Sequence, residues 1–370
     1  MAGKRFKIVN RLDRYIIGKF LGTYFLCIIL IVAISVVFDY SEHIDKLKEA
    51  PVSELLFDYY LNFIPYYANL FSPLFVFIAV IFFTSKMAEN SEIIAMFSTG
   101  LSFKRMLWPY MLSASLIAVL SLVLSMFVIP HGGITRVAFE NKYLRSGRQS
   151  GQIARNIQMV VGDGVIAYLE NYQQYNNSGY RLSLDKFEDK VLVSHLTAQS
   201  AEYDTDPENQ YHWKLRNYMI RNLSSDREEV ISGSELDTLI YMEPADFLIE
   251  KDQQMTMTSP QLREYIQRQK ARGVGQNVRE FEIEYHKRIA MTFASFILTM
   301  IGVSLSSRKR KGGMGLYLGI GIGLSFGYIL FQSVSSMFAV AGSMSAFWAE
   351  WLPNLIYVPI AVFLYMKAPK

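Results

Sequence analysis

The chain has 370 residues, 51% of them hydrophobic and 19% charged, with a net charge of +4 and a mean hydropathy of +0.17. It is too apolar for a wholly soluble protein and too charged to lie wholly in lipid, so a membrane part must be joined to a soluble one. Alternating charge signs argue against a general nucleic-acid surface, and Cys27, the only cysteine, leaves no intrachain disulfide and no cysteine-held metal.

The N-terminus is basic (Lys4, Arg5, Lys7, Arg11, Arg14), and an apolar run follows over 16–38. The run is longer than a signal h-region and no small-x-small cleavage site closes it, so it reads as a retained helix. Further runs near 61–84, 107–129, 289–306, 314–340 and 346–366 each supply the roughly 20 apolar residues that a span needs. The second contains Pro65 and Pro73, which membrane helices tolerate. Just beyond the first run, Asp39, Glu42, Asp45, Lys46, Lys48 and Glu49 form a charged cluster. It reads either as a solvated helix end or as a place to meet a charged ligand.

Between the second and third spans, residues 85–100 read as a short amphipathic helix. Asn90 or Ser91 caps it, Glu92 lies in its first turn, Ile93, Met96 and Phe97 form an apolar strip, and Gly100 stops it. Two readings stay open: a connector with its apolar side in the lipid interface, or a coupling helix seated in a groove of a partner, with Glu89 and Glu92 beside the strip.

After the third span the pattern changes to strands. The stretches 157–161 and 165–169 flank a Gly162-Asp163-Gly164 turn, and Asn176-Asn177-Ser178-Gly179 and Asp206-Pro207-Glu208-Asn209 mark further turns, as in a sandwich or jelly roll. Ser259-Pro260 then opens a polar helix that Gly273 ends. In the fifth span, Gly315, Gly319, Gly323 and Gly327 recur every four residues on nearly one face, with a shorter counterpart, Gly18 and Gly22, in the first. Such strips let another helix approach closely, within the chain or from a second subunit.

The basic N-terminus, the loop 86–105, the Arg308-Lys309-Arg310-Lys311 loop and the Lys367/Lys370 tail fall on one side of the membrane; the acidic first loop and the lysine-free hairpin at 341–350 fall on the other. The positive-inside rule then makes both termini cytoplasmic and the large insertion extracytoplasmic. The expected organisation is 1–130, spans one to three with the coupling helix near 86–100; 131–257, the β-jellyroll-like domain; 258–287, helix and connector; 288–370, spans four to six. No phosphate-binding loop, zinc motif or serine elbow occurs. The expectation is a subunit without catalysis or cofactor of its own.

Three spans, a β-rich insertion and three spans, with Leu12-Asp13-Arg14-Tyr15-Ile16 opening the first, Asn90 to Met96 followed by Ser98-Thr99-Gly100, and Trp351-Leu352-Pro353-Asn354 opening the sixth, resemble the LptF/LptG (YjgP/YjgQ) permeases, with a lean toward LptG. The resemblance implies a bacterial inner-membrane permease subunit of an ABC transporter that extracts lipopolysaccharide. Its implied partners are an LptB-like ATPase dimer, a second LptF/LptG-like subunit, and LptC- and LptA-like components on the periplasmic β domain. It also implies ATPase coupling at Glu92 and its neighbours, lateral gates formed by spans one and five of opposite subunits, and a phosphate-facing lysine at Lys48. Glu42 and Glu49 depart from that pattern, with Lys46 as a compensating cation and Arg136 as a further basic candidate. The alternatives are a membrane sensor or scaffold whose β domain binds a periplasmic ligand, and an ABC permease for another lipid-like cargo.

Overall fold

The computed structural model describes residues 10–144, 153–206, 209–223, 227–248, 252–273, 278–308 and 313–368. Lys4, Arg5, Lys7, Lys309, Arg310, Lys311 and Lys370 of the orientation argument lie outside them. The chain divides into two compact units: Met1–Leu144 with Met255–Ser259 and Glu282–Lys370, and Arg145–Gln254 with Pro260–Phe281.

Helix α1 (Arg11–Glu42) buries one narrow row, Asp13, Ile16, Phe20, Tyr24, Ile28 and Val32, at three- to four-residue spacing, and exposes the rest. Helix α2 (Ile44–Leu47) is a single turn. A stretch of wider π turns (Glu54–Tyr60) leads into α3 (Leu61–Glu89), and α4 (Glu92–Ser98) follows. Helix α5 (Phe103–Val123) does not stop near 129 as expected. It continues through π turns (Leu124–Val128) into α6 (Ile129–Phe139) and on to Leu144, so the first strand begins well beyond the expected boundary at 131. Pro130 sits in the first turn of α6, directly after the π stretch.

The second unit holds β1 (Ile153–Gly162), β2 (Val165–Gln173), β3 (Ser178–Glu188), β4 (Val191–Tyr203), β5 (His212–Leu223) and β6 (Glu228–Leu239), all antiparallel and in sequence order within one sheet. Its connections are those of an up-and-down sheet, without the crossed connections of a jelly roll. One row of the sheet is irregular. The regular pairing skips the row containing Asn156, Glu170, Arg181, Gln199, Asn217 and Ser234. In that row Asn156, Arg181 and Asn217 take positive φ (52°, 53° and 50°), a conformation that Asn tolerates better than most residues. Alternation slips by one there. Leu169 and Tyr172 are both buried on β2, Ala198 and Ala201 on β4, with two half-exposed or exposed residues between each pair. Both halves therefore bury the same face, around Met159, Leu169, Leu182, Trp213 and Leu215.

The chain leaving β6 closes this core. Ile240, Met242 and Phe247, the last in the short helix α7 (Pro244–Phe247), are buried in it, and Trp213 Nε1 donates to Met242 O at 2.9 Å. Helix α8 (Ser259–Ala271) ends at Gly273, φ 74°. Val160 N–H on the outer edge of β1 donates to Arg272 O at 2.8 Å.

Helices α9 (Arg279–Ser306), α10 (Gly313–Val340) and α11 (Ala346–Met366) complete the first unit. Among the described residues, six helices are long and apolar enough to cross a membrane: Arg11–Glu42, Glu54–Glu89, Phe103–Leu144, Arg279–Ser306, Gly315–Val340 and Ala346–Met366. Helix α3 serves two cores. With α1, α4 and α5 it encloses Phe20, Val76, Phe83, Ile93 and Tyr110; with α9, α10 and α11 it contributes Phe77 and Ile81 against Leu298, Ile301, Tyr328 and Tyr357.

Helices α10 and α11 are joined by a polar ladder. Leu324, Tyr328, Gln332 and Ser336, each four residues apart on α10, face Tyr357, Asn354 and Glu350 on α11. Tyr357 Oη donates to Leu324 O (2.8 Å), Tyr328 Oη to Asn354 Oδ1 (3.0 Å), and Gln332 Nε2 and Ser336 Oγ to the Glu350 carboxylate (2.9 and 2.5 Å). Asn354 Nδ2 also donates to Ala290 O of α9 at 2.8 Å. Bonds of this kind contribute about 0.6 kcal/mol each inside a membrane, up to about 1.7.

Candidate functional site

At the end of the bundle where α1 begins, three elements are fastened around α4. Arg105 donates from both terminal nitrogens to Asp13, at 2.6 and 2.7 Å, which anchors the start of α1 to the start of α5. Asp13 also accepts the Asn10 N–H at 2.8 Å. Tyr15 Oη and Asn90 Nδ2 each donate to the Glu92 carboxylate at 3.2 Å. The reversal from α3 into α4 is made by Ser91 at φ 61°, the N-cap of α4, with no side-chain capping bond.

This arrangement settles which side of α4 looks outward. Ile93 is 1% exposed and, with partly buried Met96 and Phe97, packs on the chain's own core. The strip that the sequence marks therefore holds the helix down. The exposed side carries Glu89 and Asn90, just before the helix, and Ile94, Ala95 and Ser98, with Ile94 53% exposed. A large exposed apolar side chain beside a carboxylate is a feature of partner-binding surfaces.

The glycines separate into two sets. A Cβ built at Gly18, Gly22, Gly315, Gly319 or Gly323 meets nothing within 4 Å, while one at Gly327 comes 3.2 Å from Tyr357 Oη. The expected row thus lies on open faces of α1 and α10, apart from its last member. Close packing inside the chain is done by glycines that the four-residue pattern omits. A Cβ at Gly302 would lie 2.8 Å from Val80 Cγ1, and one at Gly321 would collide with Ile81 Cδ1.

At the other end of the bundle, Tyr59 and Tyr60 donate to Asp39 at 2.9 and 3.2 Å, and Lys142 and Tyr143 donate to Glu54 at 2.9 and 3.0 Å. Lys46 is exposed and donates to Leu144 O; Lys48, with a side chain 60% exposed, lies 3.4 Å from Asp45. Arg136 is different. It is buried, 3.2 Å from Glu140, and stacks on the Tyr66 ring at 4.4 Å. The two lysines stand on the surface, whereas Arg136 is already neutralised.

Among the described residues no group of three or more His, Cys, Asp or Glu could hold a metal ion. The geometry offers surfaces: a pinned surface helix at one end, bare helix faces along the span, and lysines at the other end. Sequence reasoning missed Asp13 with Arg105, Ile94, Gly302, Gly321 and the Glu350 ladder. The Asn354 of the quoted Trp351–Asn354 motif proves to bridge three helices. No curated protein matches the chain significantly. The family described as Lipopolysaccharide export system permease LptF/LptG matches residues 14–367, from the first turn of α1 to the residue after α11, so the inserted sheet, the pinned surface helix and all but the first three residues of the six long helices fall within it, and the chain belongs to the LptF/LptG permease family.

Proposed function

We propose that this chain is one of two permease subunits of an ABC transporter that takes lipopolysaccharide from the outer leaflet of the inner membrane and passes it to a periplasmic bridge. The second subunit is LptF/LptG-like, the energy comes from an LptB-like ATPase dimer, and LptC- and LptA-like components receive the lipid. The observation that carries the reading is the pair of open glycine faces: α1 and α10 each present to their surroundings a strip that no side chain of this chain fills. An unfilled strip suits a helix from another subunit, and a lateral gate needs a contact that can part.

The remaining roles follow from that assembly. Both termini and α4 are cytoplasmic, with the Glu89, Glu92 and Ile94 face in the ATPase groove and Ile93, Met96 and Phe97 bracing it from behind. Lys46 and Lys48 meet lipid phosphates at the outer leaflet; Arg136 joins them only after leaving Glu140. The sheet is periplasmic and extends by strand addition at β6, whose Val230 and Ile231 are exposed, since Arg272 already occupies part of the β1 edge.

The test is purification of the chain from its native membrane in mild detergent. An ATPase and a second permease subunit should come with it, and mass spectrometry should identify a phosphorylated glycolipid in the complex. Purification of the chain alone, or with a soluble signalling partner and no ATPase, would refute the reading.

A further inference from the structure

Glu350 is fully buried in a span, and neither coupling nor lipid contact uses it. An ionisable group at such a place is expensive and commonly functional. Its two oxygens are both taken by α10, one by Gln332 and one by Ser336. It is the outermost rung of the α10–α11 ladder, which runs through Tyr328 and Asn354 to Tyr357 at Leu324 O. Twelve residues of α10 separate Leu324 from Ser336, about 18 Å of helix, so the rungs cover over half of the hydrocarbon thickness. Asn354 extends the ladder to α9.

The contact with α3 around Gly302 and Gly321 is of the opposite kind. Phe77, Val80 and Ile81 meet Gly302 and Gly321, residues with no polar side-chain atoms. Among these five residues no polar side chain crosses to α3, and the two glycines let the backbones approach closely. Parting the ladder inside lipid strands a carboxylate, an amide and hydroxyls without water, whereas shifting the seam exchanges one dispersion contact for another. Around α10 the functions are therefore divided by face: open glycines outward, Gly321 on α3, the ladder on α11.

We propose that Glu350 is a positioning residue for α10: by fastening α10 to α11 it makes α9, α10 and α11 one body, and this body slides as a unit on α3 when the glycine face of α10 opens and closes. The proposal rests on the transport reading for its purpose, while the rigidity of the three-helix body is measurable without it.

The purified complex, with Cys27→Ser, provides the test. A Cβ at Gly321 would stand 3.8 Å from Ile81 Cβ, the separation of a relaxed disulfide, so Ile81→Cys with Gly321→Cys staples the seam. Oxidation should lower lipid-stimulated ATP turnover at least tenfold, and reductant should restore it. Unchanged turnover in the fully oxidised protein would overturn the slide. For the fastening, nitroxides on Leu330→Cys and Leu355→Cys, both on exposed faces of α10 and α11, report their separation in lipid bilayers. The distribution should be narrow in the parent protein and in Glu350→Gln, which keeps an acceptor for Gln332, and broad in Glu350→Ala. A narrow distribution in Glu350→Ala, or a broad one in the parent, would overturn the role of Glu350. A parent complex with no lipid-stimulated turnover would count against the transport reading and leave the distance result to judge the fastening.

Discussion

Arg105 holds Asp13 with two nearly equal bonds, 2.6 and 2.7 Å, across 92 residues of sequence. Asp13 is 1% exposed, so its carboxylate depends on this guanidinium and on the Asn10 N–H for the partners that water would supply. Asp13→Ala should destabilise the folded chain by about 1.5–3 kcal/mol, the range for hydrogen bonds to charged groups. Tyr15→Phe, which removes a more exposed bond to Glu92, should cost about 0.5–1 kcal/mol. Thermal unfolding in one detergent measures both, and equal midpoints for Asp13→Ala and the parent would show that the pair anchors nothing.

Glu92→Lys should separate coupling from folding. The side chain is only half-buried, so the protein should still insert, with a loss of stability no larger than about 1–2 kcal/mol from the two bonds. A cation there repels what the carboxylate attracts and loses the bonds from Tyr15 and Asn90. ATPase retention on purification should fall at least tenfold. Ile94→Glu, on the exposed side, should do the same through desolvation, while Glu92→Gln keeps an acceptor and should lose less. Full retention in both Glu92→Lys and Ile94→Glu would place the ATPase elsewhere.

What the sequence made legible was whatever depends on local period. The spans follow from hydropathy, the α4 helix from its apolar spacing and Gly100, the sheet from its turns. Illegible features depend on which distant residue comes opposite. Glu350, Asn354 and Tyr357 look like polar interruptions of a span until Gln332, Tyr328 and Leu324 meet them. Gly302 and Gly321 belong to no four-residue row, yet they do the close packing. The irregular row was hidden for another reason. Paired half-exposed residues such as Glu170 and Asn171 break the alternation from which strands are read, and nothing local says that all six strands slip in the same row.

The periplasmic placement of the sheet is open to direct labelling. Asn177 is a poor site for the reporter because it holds φ 50°. Tyr175, 67% exposed in the same turn, is a better one. With Cys27 replaced by serine, Tyr175→Cys should react with a membrane-impermeant maleimide once the outer membrane is permeabilised. Protection until the inner membrane is broken would invert the topology.

The gate prediction uses the two glycine sets against each other. Leucines at Gly319 and Gly323 meet nothing within 4 Å of their Cβ atoms in this chain, so Gly319→Leu with Gly323→Leu should leave insertion and thermal midpoint close to the parent values. Gly321→Ala, smaller by far in added volume, pushes a methyl into Ile81 and should lower the midpoint, at a cost of about 1–3 kcal/mol for overpacking. Function should divide the other way. The double leucine variant should lose at least tenfold in lipid delivery per ATP hydrolysed, because its bulk holds a neighbouring α1 away from the strip. Disulfide formation locates that neighbour: Gly319→Cys here should pair with a cysteine at the Gly22-equivalent position of the second subunit in the lipid-free complex. If the double leucine variant exports lipid normally, the strip faces only lipid, and α10 is not a gate.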